Sequence, residues 1–409
     1  SCQTVPAEDA IRRDPAAYAD NRYDLIIVGG GIYGVTLALE SVRRGLRCLL
    51  LEKQDFGSQT SFNHLRILHG GLRYLQSLDL RRFRDSVAER SWFLRHLPGL
   101  ARPVDCLLPL YGNGLHRPAV FRAALALDGV LAADRNRGLL PERSLKVGRV
   151  LSVEETAARF PGIDRCGLRG AALWQDGFVP DSPRLLIELL RWACRYGAHA
   201  LNYCPADGLQ ISGGRVTGVR GMDRTDGREY HFTAPVVINA AGPWCREVAA
   251  LADRDRPRLF ANRVLVWNLL FGRAPLASCA VAVRPRRPGA PHHFLPPWKG
   301  QLLIGTGHVP LAPGEHRPPS GEEVAAMIDD VNEAVPAWNS DRESCGGSIT
   351  GSCRERAVFG WPADRYWSIT VPSRGRRGCT ACRESNLLRP GRLLIVLLAT
   401  ALSQTCLSL

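Results

Sequence analysis

The 409-residue sequence is almost without lysine, with 3 Lys against 50 Arg. Its formal net charge is +14, but the arginines are scattered and are neither gathered into one run nor interleaved with aromatic residues. A nucleic-acid-binding surface usually combines a basic stripe with a recognition motif, so the sequence indicates no nucleic-acid partner. A codon bias toward arginine, glycine and proline explains the charge more simply.

Long apolar runs are also missing. The longest, residues 393–402, is shorter than the ~18 consecutive apolar residues that a membrane-spanning helix needs. The first residues show no basic segment followed by an apolar one, so we expect a cytoplasmic rather than a secreted protein.

The 13 cysteines form neither a disulfide framework nor a metal-binding pattern. Most of them, such as Cys48 and Cys194, are single residues in apolar surroundings, which is typical of small buried side chains in a reducing compartment. A Cys-x-x-Cys pair, Cys379 and Cys382, has no second pair and no histidines at the spacing of zinc ligands. We therefore predict no metal site.

A glycine-rich turn lies between two apolar runs near the start of the chain. Residues 23–28 predict a buried parallel strand, and Gly29, Gly31 and Gly34 then fit G-x-G-x-x-G at the start of a predicted helix. A second apolar run ends in Glu52, which can accept hydrogen bonds from a ribose diol while a pyrophosphate lies at the helix N-terminus. An ordinary α/β turn shares parts of this pattern, but the complete order favours a dinucleotide. The predicted cofactor-binding residues of this unit are Gly29, Gly30, Gly31, Gly34 and Glu52.

The segment after Glu52 favours FAD over NAD as that dinucleotide. An NAD-binding domain usually continues with another β-α unit, whereas here a polar, hydroxyl-rich loop precedes a tight Gly-Gly turn. Hydroxyl and backbone N–H groups of such a loop can bind a phosphate or the edge of a flavin ring. The further candidate cofactor-binding residues are Lys53, Ser58, Thr60, Ser61, Gly70 and Gly71.

A second candidate contact with the cofactor lies much later in the chain. Residues 236–240 predict another buried strand, and Ala241 and Gly242 follow it directly. Ligands of open α/β sheets bind at the carboxyl ends of the strands, and small residues allow a close approach there. Ala241 and Gly242 are therefore predicted to face the cofactor.

Residues 69–75, with the sequence His-Gly-Gly-Leu-Arg-Tyr-Leu, resemble a motif of the D-amino-acid-oxidase and glycine-oxidase superfamily of flavoproteins. Within it, they are most similar to the FAD-dependent glycerol-3-phosphate dehydrogenases. The stretches 176–201, 214–244 and 292–308 are similar to that family as well. The resemblance covers about residues 23–338 and implies FAD as the cofactor.

The resemblance also implies an activity. The enzyme would oxidise sn-glycerol 3-phosphate, or a similar small anionic alcohol, to the ketone by hydride transfer to the flavin. Electrons would then pass to a quinone-type acceptor, and the protein would contact the inner face of the membrane peripherally. Arg73 and Tyr74 match the family motif whose arginine binds the substrate, and a planar guanidinium suits a phosphate. His69 and His308 are the candidate proton acceptors.

Alternatives remain open for the function and for both histidines. The chain has Gly305-Thr306-Gly307-His308 where the glycerol-phosphate enzymes usually have Gly-Thr-Thr-Asp, which weakens the assignment of the substrate. One alternative is a flavin amine or amino-acid oxidase of the same superfamily, and another is an inactive truncated product. His69 and His308 could each be a hydrogen-bonded structural histidine.

We predict an α/β fold with a doubly wound, Rossmann-like FAD-binding domain and an α+β substrate domain built on an antiparallel sheet. Residues 339–409 have no strand or helix periodicity and lack the arginine motif and the Gly-Lys stretch that the family would supply there. For this atypical tail, our hypotheses are disorder or a shifted reading frame. The predicted boundaries are 1–22 for an N-terminal extension, 23–100 and 145–250 for the discontinuous FAD-binding domain, and 101–144 and 251–338 for the substrate domain.

Overall fold

A computed structural model describes residues 11–112, 114–252, 263–312, 315 and 317–339, with two short strands at 368–369 and 393–394. The helices are α1 (Pro15–Ala19), α2 (Ile32–Arg43), α3 (Leu80–His96), α4 (Pro118–Leu131), α5 (Val153–Arg159), α6 (Ser182–Arg195), α7 (Cys245–Ala250), α8 (Gly321–Ala334) and α9 (Pro336–Asn339). Short 3-10 helices cover Leu72–Ser77, Gly114–His116, Pro141–Arg143 and Gly242–Trp244.

The strands follow one another or are separated by these helices. They are β1 (Leu25–Val28), β2 (Cys48–Leu51), β3 (Ile67–Leu68), β4 (Arg102–Pro109), β5 (Arg149–Leu151), β6 (Ala171–Phe178), β7 (His199–Leu201), β8 (Ala206–Ser212), β9 (Arg215–Met222), β10 (Glu229–Thr233), β11 (Val237–Asn239), β12 (Arg263–Phe271), β13 (Ala280–Val283), β14 (His293–Leu295), β15 (Pro297–Trp298), β16 (Gln301–Leu311), β17 (Ser368–Ile369) and β18 (Leu393–Leu394).

A parallel sheet carries the glycine turn. Its strand order is β18-β11-β1-β2-β7, so β1 lies at the centre. All four residues of β1 are buried, as in strands covered on both faces. Leu25 and Ile27 pack with residues of α2 and α6 on one face, and Ile26 and Val28 pack with residues of the three-stranded sheet β8–β10 on the other. The predicted α/β fold with a parallel nucleotide-binding sheet is confirmed, with β8–β10 covering one face in place of helices.

A second sheet is larger than the parallel one. Its strands run in the order β17-β12-β16-β14-β13-β4-β6-β3, with β15 and β5 paired at its margins. Neighbouring strands are antiparallel except for β13 and β4, which pair in parallel, so the predicted antiparallel sheet is in fact mixed. In β4, Leu107 packs with residues of α5 and α8, whereas Cys106 and Leu108 pack with residues of α4. The large sheet is therefore covered by helices on both faces.

One predicted boundary differs from the sheet pairing. The sequence places residues 145–250 in the FAD-binding domain, but β6 pairs with β4 in the large sheet and β5 pairs with β6. The partner strand β4 lies tens of residues earlier in the chain, and strand periodicity alone does not reveal a partner. The remaining boundaries stay predictions, and residues 1–10 and almost all of 339–409 lie outside the described residues.

The described part of the N-terminal extension is joined to the nucleotide-binding unit. Arg13 forms an ion pair of 2.6 Å with the buried carboxylate of Asp223, and the Tyr18 ring stacks on His199 at 4.0 Å. Among the described residues, no helix is long and apolar enough to cross a membrane.

Candidate active site

The glycine turn after β1 is closed by contacts between backbone atoms. A Cβ placed on Gly34 would lie 1.8 Å from the carbonyl oxygen of Gly29, and one on Gly29 would lie 2.4 Å from that of Ala240. Gly29 also has φ +114°, which L side chains rarely adopt. Gly31 is the N-cap residue of α2, so the turn delivers the chain to a helix N-terminus. The start of α2 is therefore packed tightly against β1, and a helix N-terminus in this position can bind a pyrophosphate.

Glu52 lies directly after β2 and reaches back to this turn. One carboxylate oxygen accepts a hydrogen bond from the Gly30 N–H at 2.7 Å, and the other accepts one from the Gln54 N–H at 2.8 Å. Burial raises the pKa of Glu52, and these two N–H donors oppose that rise. Each carboxylate oxygen keeps a second lone pair, so the group can still accept from a ribose diol.

Lys53 follows Glu52 and lies against an aromatic ring. Its Nζ is 3.3 Å from the centroid of the Trp244 ring. Burial lowers the pKa of Lys53 to about 8, although the charges of Glu52 and Glu247 act in the opposite direction. The contact between Lys53 and Trp244 therefore joins the end of β2 to the segment that follows β11.

The hydroxyl-rich loop carries an unusual set of buried polar atoms. The side-chain oxygens of Ser58, Thr60 and Gln59 (its Oε1) have no hydrogen-bond partner within the described residues. Ser61 is different, since its Oγ accepts a hydrogen bond of 2.8 Å from the Ile32 N–H in the first turn of α2. Unpaired buried polar atoms are costly, and a polar ligand beside the loop would satisfy them. These residues therefore fit a polar ligand such as a dinucleotide cofactor.

The segment that follows β11 lies beside the glycine turn after β1. The Ala240 N–H donates to the Val28 carbonyl oxygen at 2.8 Å, which continues the parallel pairing of β11 and β1 past the strand end. Asn239 holds the following bend, since its amide donates to the Cys245 carbonyl oxygen at 2.7 Å and its Oδ1 accepts from the Ala241 N–H at 3.2 Å. Gly242 has φ +55°. Ala241 thus lies next to Gly29 and Gly242 follows it, and their contact with the cofactor stays a prediction.

The predicted substrate-binding residues come together around one phenol ring. Tyr74 is buried, and the His69 ring meets it edge to face with 5.9 Å between centroids. The guanidinium carbon of Arg73 lies 5.0 Å from the centroid of the same ring. Gly71, with φ +84°, is the N-cap of the 3-10 helix that carries Arg73 and Tyr74. The motif found in sequence is therefore one compact cluster.

His308 lies in the large sheet, away from this run of sequence. It is exposed, and its partner across the sheet is Val266 on β12. Its role as a proton acceptor remains a prediction. The nearby His293 is a structural residue, since its Nε2 lies 3.1 Å from the carboxylate of Asp330 on α8 and burial lowers its pKa.

Sequence reasoning missed an amide cluster that joins the hydroxyl-rich loop to the large sheet. The Asn268 amide on β12 donates to Asn63 Oδ1 at 3.0 Å, and its Oδ1 accepts from the Thr306 hydroxyl at 3.3 Å. The strand β16 can approach because a Cβ on Gly305 would lie 2.0 Å from Asn268 Oδ1. Nothing local in the sequence pairs Asn63 with a residue 205 positions away.

Sequence reasoning also missed a buried ion pair beneath the His69–Tyr74 cluster. Asp176 on β6 and Arg90 on α3 are both buried and are 2.7 Å apart. A signal for Arg90 exists, because it falls on the apolar stripe that Phe83, Val87 and Leu94 form at helical spacing. A charged residue on such a stripe requires a buried partner.

Comparison with known proteins identifies the family. A family model described as "FAD dependent oxidoreductase" matches residues 24–380. The chain belongs to this family. The FAD-dependent oxidoreductases use the cofactor that the hydroxyl-rich loop favours, so the prediction of FAD over NAD is confirmed. The match also extends beyond the region of about residues 23–338 that the motifs cover.

Two curated relatives of this oxidoreductase are named as glycerol-3-phosphate dehydrogenases. The protein from Synechocystis sp. is 32% identical over 343 residues, which cover 80% of this chain and 60% of the relative. Glycerol-3-phosphate dehydrogenase 1 from Mycobacterium tuberculosis is 33% identical over 344 residues, which cover 80% of this chain and 63% of the relative. The chain therefore spans less than two thirds of the length of these relatives.

Solved structures of flavoproteins share the fold of this oxidoreductase. The glycerol-3-phosphate dehydrogenase from Bacillus halodurans, complexed with FAD, has a TM-score of 0.58 at 22% identity, covering 79% of this chain and 55% of that one. Glycine oxidase from Bacillus cereus has a TM-score of 0.54 at 18% identity, covering 78% of this chain and 80% of that one. The resemblance drawn from residues 69–75 is confirmed at the level of family and fold.

Proposed function

We propose that this FAD-dependent oxidoreductase oxidises sn-glycerol 3-phosphate to the corresponding ketone. The observation that carries the proposal is the cluster of His69, Arg73 and Tyr74, which follows the hydroxyl-rich loop in the chain. The two curated relatives with 32% and 33% identity support the choice of substrate through their names. Because the chain spans only part of those relatives, the activity of the whole protein is inferred.

The nucleotide-binding residues have distinct tasks in this proposal. When bound, FAD supplies the hydride acceptor for alcohol oxidation. The N-terminus of α2, which begins after Gly31, would face the pyrophosphate, and Glu52 would accept hydrogen bonds from the ribose. Ser58 and Thr60 would then have partners for their buried hydroxyls.

The substrate residues would divide binding and proton transfer between them. Arg73 is half-buried, and its guanidinium can form paired, charge-assisted hydrogen bonds with the phosphate. The Tyr74 ring orients both neighbours, since it is buried and contacts Arg73 and His69. A ring nitrogen of His69 would take the proton of the C2 hydroxyl as the hydride leaves carbon, and His308 is the second candidate for this role.

We further propose a quinone-type acceptor and a peripheral contact with a membrane. The support is a set of exposed apolar side chains, Leu78, Val130 and Val147. Val147 lies beside α4, because a Cβ on Gly129 would contact it, and Arg84 joins α3 to the end of α4 by donating to the Leu131 carbonyl oxygen at 2.7 Å. Exposed arginines on α3 beside apolar side chains suit an anionic lipid surface.

Absorbance and turnover would test the proposal on the full-length protein. We expect a flavin absorbance spectrum after purification or FAD addition, and reduction of an artificial electron acceptor with glycerol 3-phosphate as substrate. Peroxide production from amino acids, without turnover of glycerol 3-phosphate, would instead identify an amino-acid oxidase of the same fold. A protein with no flavin spectrum after FAD addition would be the inactive product.

A further inference from the structure

A buried carboxylate lies beneath the turn that carries His69. Asp176 Oδ1 accepts hydrogen bonds from the Gly70 N–H at 2.6 Å and from Nη1 of Arg90 at 2.7 Å. Its Oδ2 accepts a third hydrogen bond, of 2.8 Å, from the Trp174 indole. A carboxylate accepts charge-assisted hydrogen bonds that are stronger than those of a neutral amide. The turn is therefore attached to β6 by an unusually strong acceptor.

Arg90 occupies the space beside the turn that a side chain at position 70 would fill. A Cβ on Gly70 would lie 1.9 Å from Nη1 of Arg90. The same nitrogen also donates to the Gln175 carbonyl oxygen at 3.1 Å. The side chains of Arg90 and Asp176 are only 3% and 7% exposed, so their attraction is little screened by water. The ion pair thus links α3 to β6 with the turn held between them.

The turn also rests on α3 at its next residue. A Cβ on Gly71 would lie 2.9 Å from Ser86 Cβ and 3.1 Å from Phe83 Cα. The Gly70 N–H belongs to the peptide bond that follows His69, so its hydrogen bond to Asp176 fixes the orientation of that peptide. His69 and the 3-10 helix carrying Arg73 and Tyr74 leave the turn on either side of this fixed point.

We propose that Asp176, held in place by Arg90, is the positioning residue for His69, Arg73 and Tyr74. This inference rests on the proposed function, in which those three side chains bind the substrate and must be held in accurate positions. Asp176 already accepts three hydrogen bonds within the protein, so it acts through the turn. Displacements of about 1 Å at a reacting group can lower rates by about 100-fold.

Asp176→Asn in the full-length protein tests the proposal against a matched control. The control is Asp128→Asn, because Asp128 and Arg135 form a second buried ion pair of 2.7 Å, with side chains 9% and 6% exposed. That pair lies at the end of α4, where Arg135 also donates to the Ala132 carbonyl oxygen. Both substitutions remove one buried charge and preserve side-chain size, so they should lower the melting temperature to a similar extent.

Only Asp176→Asn should affect the substrate groups. We expect kcat/KM for glycerol 3-phosphate to fall about 100-fold. We also expect weaker binding of the product ketone, measured from its perturbation of the flavin absorbance, with FAD still bound. Asp128→Asn should leave both quantities within about twofold of the wild type. Equal effects of the two substitutions on both quantities would overturn the proposal.

Amide hydrogen exchange separates this proposal from the proposed function. In the protein without substrate, peptides covering residues 69–75 should exchange faster in Asp176→Asn than in Asp128→Asn, because the Gly70 N–H loses its charged acceptor. That result would support the positioning role even if glycerol 3-phosphate is not a substrate. Unchanged exchange in this segment would overturn it whatever the substrate.

A second variant covers the case in which Asp176→Asn does not fold. Arg90→Lys keeps the positive charge but loses the planar group that fills the space at Gly70. It should accelerate exchange in residues 69–75 by a smaller factor than Asp176→Asn would. Exchange in this segment identical to that of the wild type would contradict the linkage between Arg90 and the turn.

Discussion

The two glycine turns of the candidate active site are tight for different physical reasons. In the first turn, the missing side chain of Gly34 leaves room for the Gly29 carbonyl, which is backbone packed against backbone. In the second, the missing side chain of Gly70 leaves room for the guanidinium of Arg90, which is backbone packed against a side chain. The first turn depends on atoms that cannot move without unfolding α2 or β1. The second depends on a group that can rotate away.

This difference indicates how each turn fails. A substitution in the first turn should disrupt the nucleotide-binding unit as a whole, because a displaced carbonyl distorts the sheet and the helix together. A substitution in the second should displace Arg90 and release the segment that carries His69, Arg73 and Tyr74. The cofactor would then remain bound while substrate binding fails.

Gly34→Ala should have the largest effect. The added Cβ would lie 1.8 Å from the Gly29 carbonyl oxygen, so α2 must separate from β1. We expect destabilisation by more than about 3 kcal/mol and loss of the flavin absorbance. Thermal unfolding and the absorbance spectrum measure both. Gly99→Ala, where an added Cβ meets nothing within 4 Å, is the control and should behave as the wild type. Retained flavin in Gly34→Ala would disprove the backbone-packing account of the first turn.

Gly70→Ala should have the next largest effect. The added Cβ displaces the Arg90 guanidinium and leaves Asp176 without its cation, which should destabilise the protein by about 3 kcal/mol. The flavin spectrum should persist, because the glycine turn after β1 and Glu52 are unchanged. Loss of the flavin would instead support the predicted contact between Gly70 and the cofactor. Denaturant unfolding of Gly70→Ala, Asp176→Asn and the double variant measures the coupling free energy between the two positions. The double variant should be less destabilised than the sum of the single ones, because both remove the same ion pair. If the two destabilisations simply add in the double variant, Gly70 does not act through the Arg90–Asp176 ion pair.

Arg73→Ala should act on substrate binding alone. Loss of charge-assisted hydrogen bonds to the phosphate should raise KM for glycerol 3-phosphate by about 10- to 100-fold. The flavin spectrum and melting temperature should stay near those of the wild type. Arg81→Ala on the exposed surface of α3 is the matched control and should not change KM. An unchanged KM in Arg73→Ala would remove Arg73 from the substrate site.

The smallest effect is expected at His64, in the connection between the two turns. Burial, and to a lesser degree the positive charge of Arg66, lowers the pKa of His64 to about 3, and its Nδ1 accepts the Arg66 N–H at 3.0 Å. Between pH 6.5 and about 3, the unfolded chain binds a proton here that the folded chain does not. Stability should therefore fall as the pH falls through this window.

His64→Asn should make the loss of stability in acid less steep, because asparagine can accept the same N–H without titrating. Urea unfolding at pH 7, 6 and 5 measures the effect. His96→Gln, a change at an exposed histidine of α3, should leave the pH dependence as it is in the wild type. An unaltered slope in His64→Asn would show that His64 titrates in the folded protein as it does in water.

The fold of the nucleotide-binding unit could be predicted from sequence because its signals are local. The strand, the glycines, the helix and Glu52 all lie within residues 23–52, and the hydrogen bond from the Gly30 N–H to Glu52 joins residues only 22 positions apart. The cluster of His69, Arg73 and Tyr74 was found through a resemblance, and it is also local. In both cases spacing along the chain determines which groups meet.

The supports of the candidate site could not be predicted in the same way. The Gly70–Asp176 hydrogen bond joins residues 106 positions apart, and the Asn63–Asn268 bond joins residues 205 positions apart. Their partners are chosen by the pairing of β6 and β12 in the large sheet. The same pairing is the reason that β5 and β6 lie in that sheet.

By itself, the sequence determined the glycine turn, the cofactor class and the residues of the second turn, because each depends on neighbours along the chain. Only the tertiary structure decided what holds the second turn in place. A buried charge such as Arg90 needs a partner, but which carboxylate supplies it depends on how α3 and β6 pack. That packing depends on which residues are buried across the whole large sheet, and no short stretch of sequence determines this.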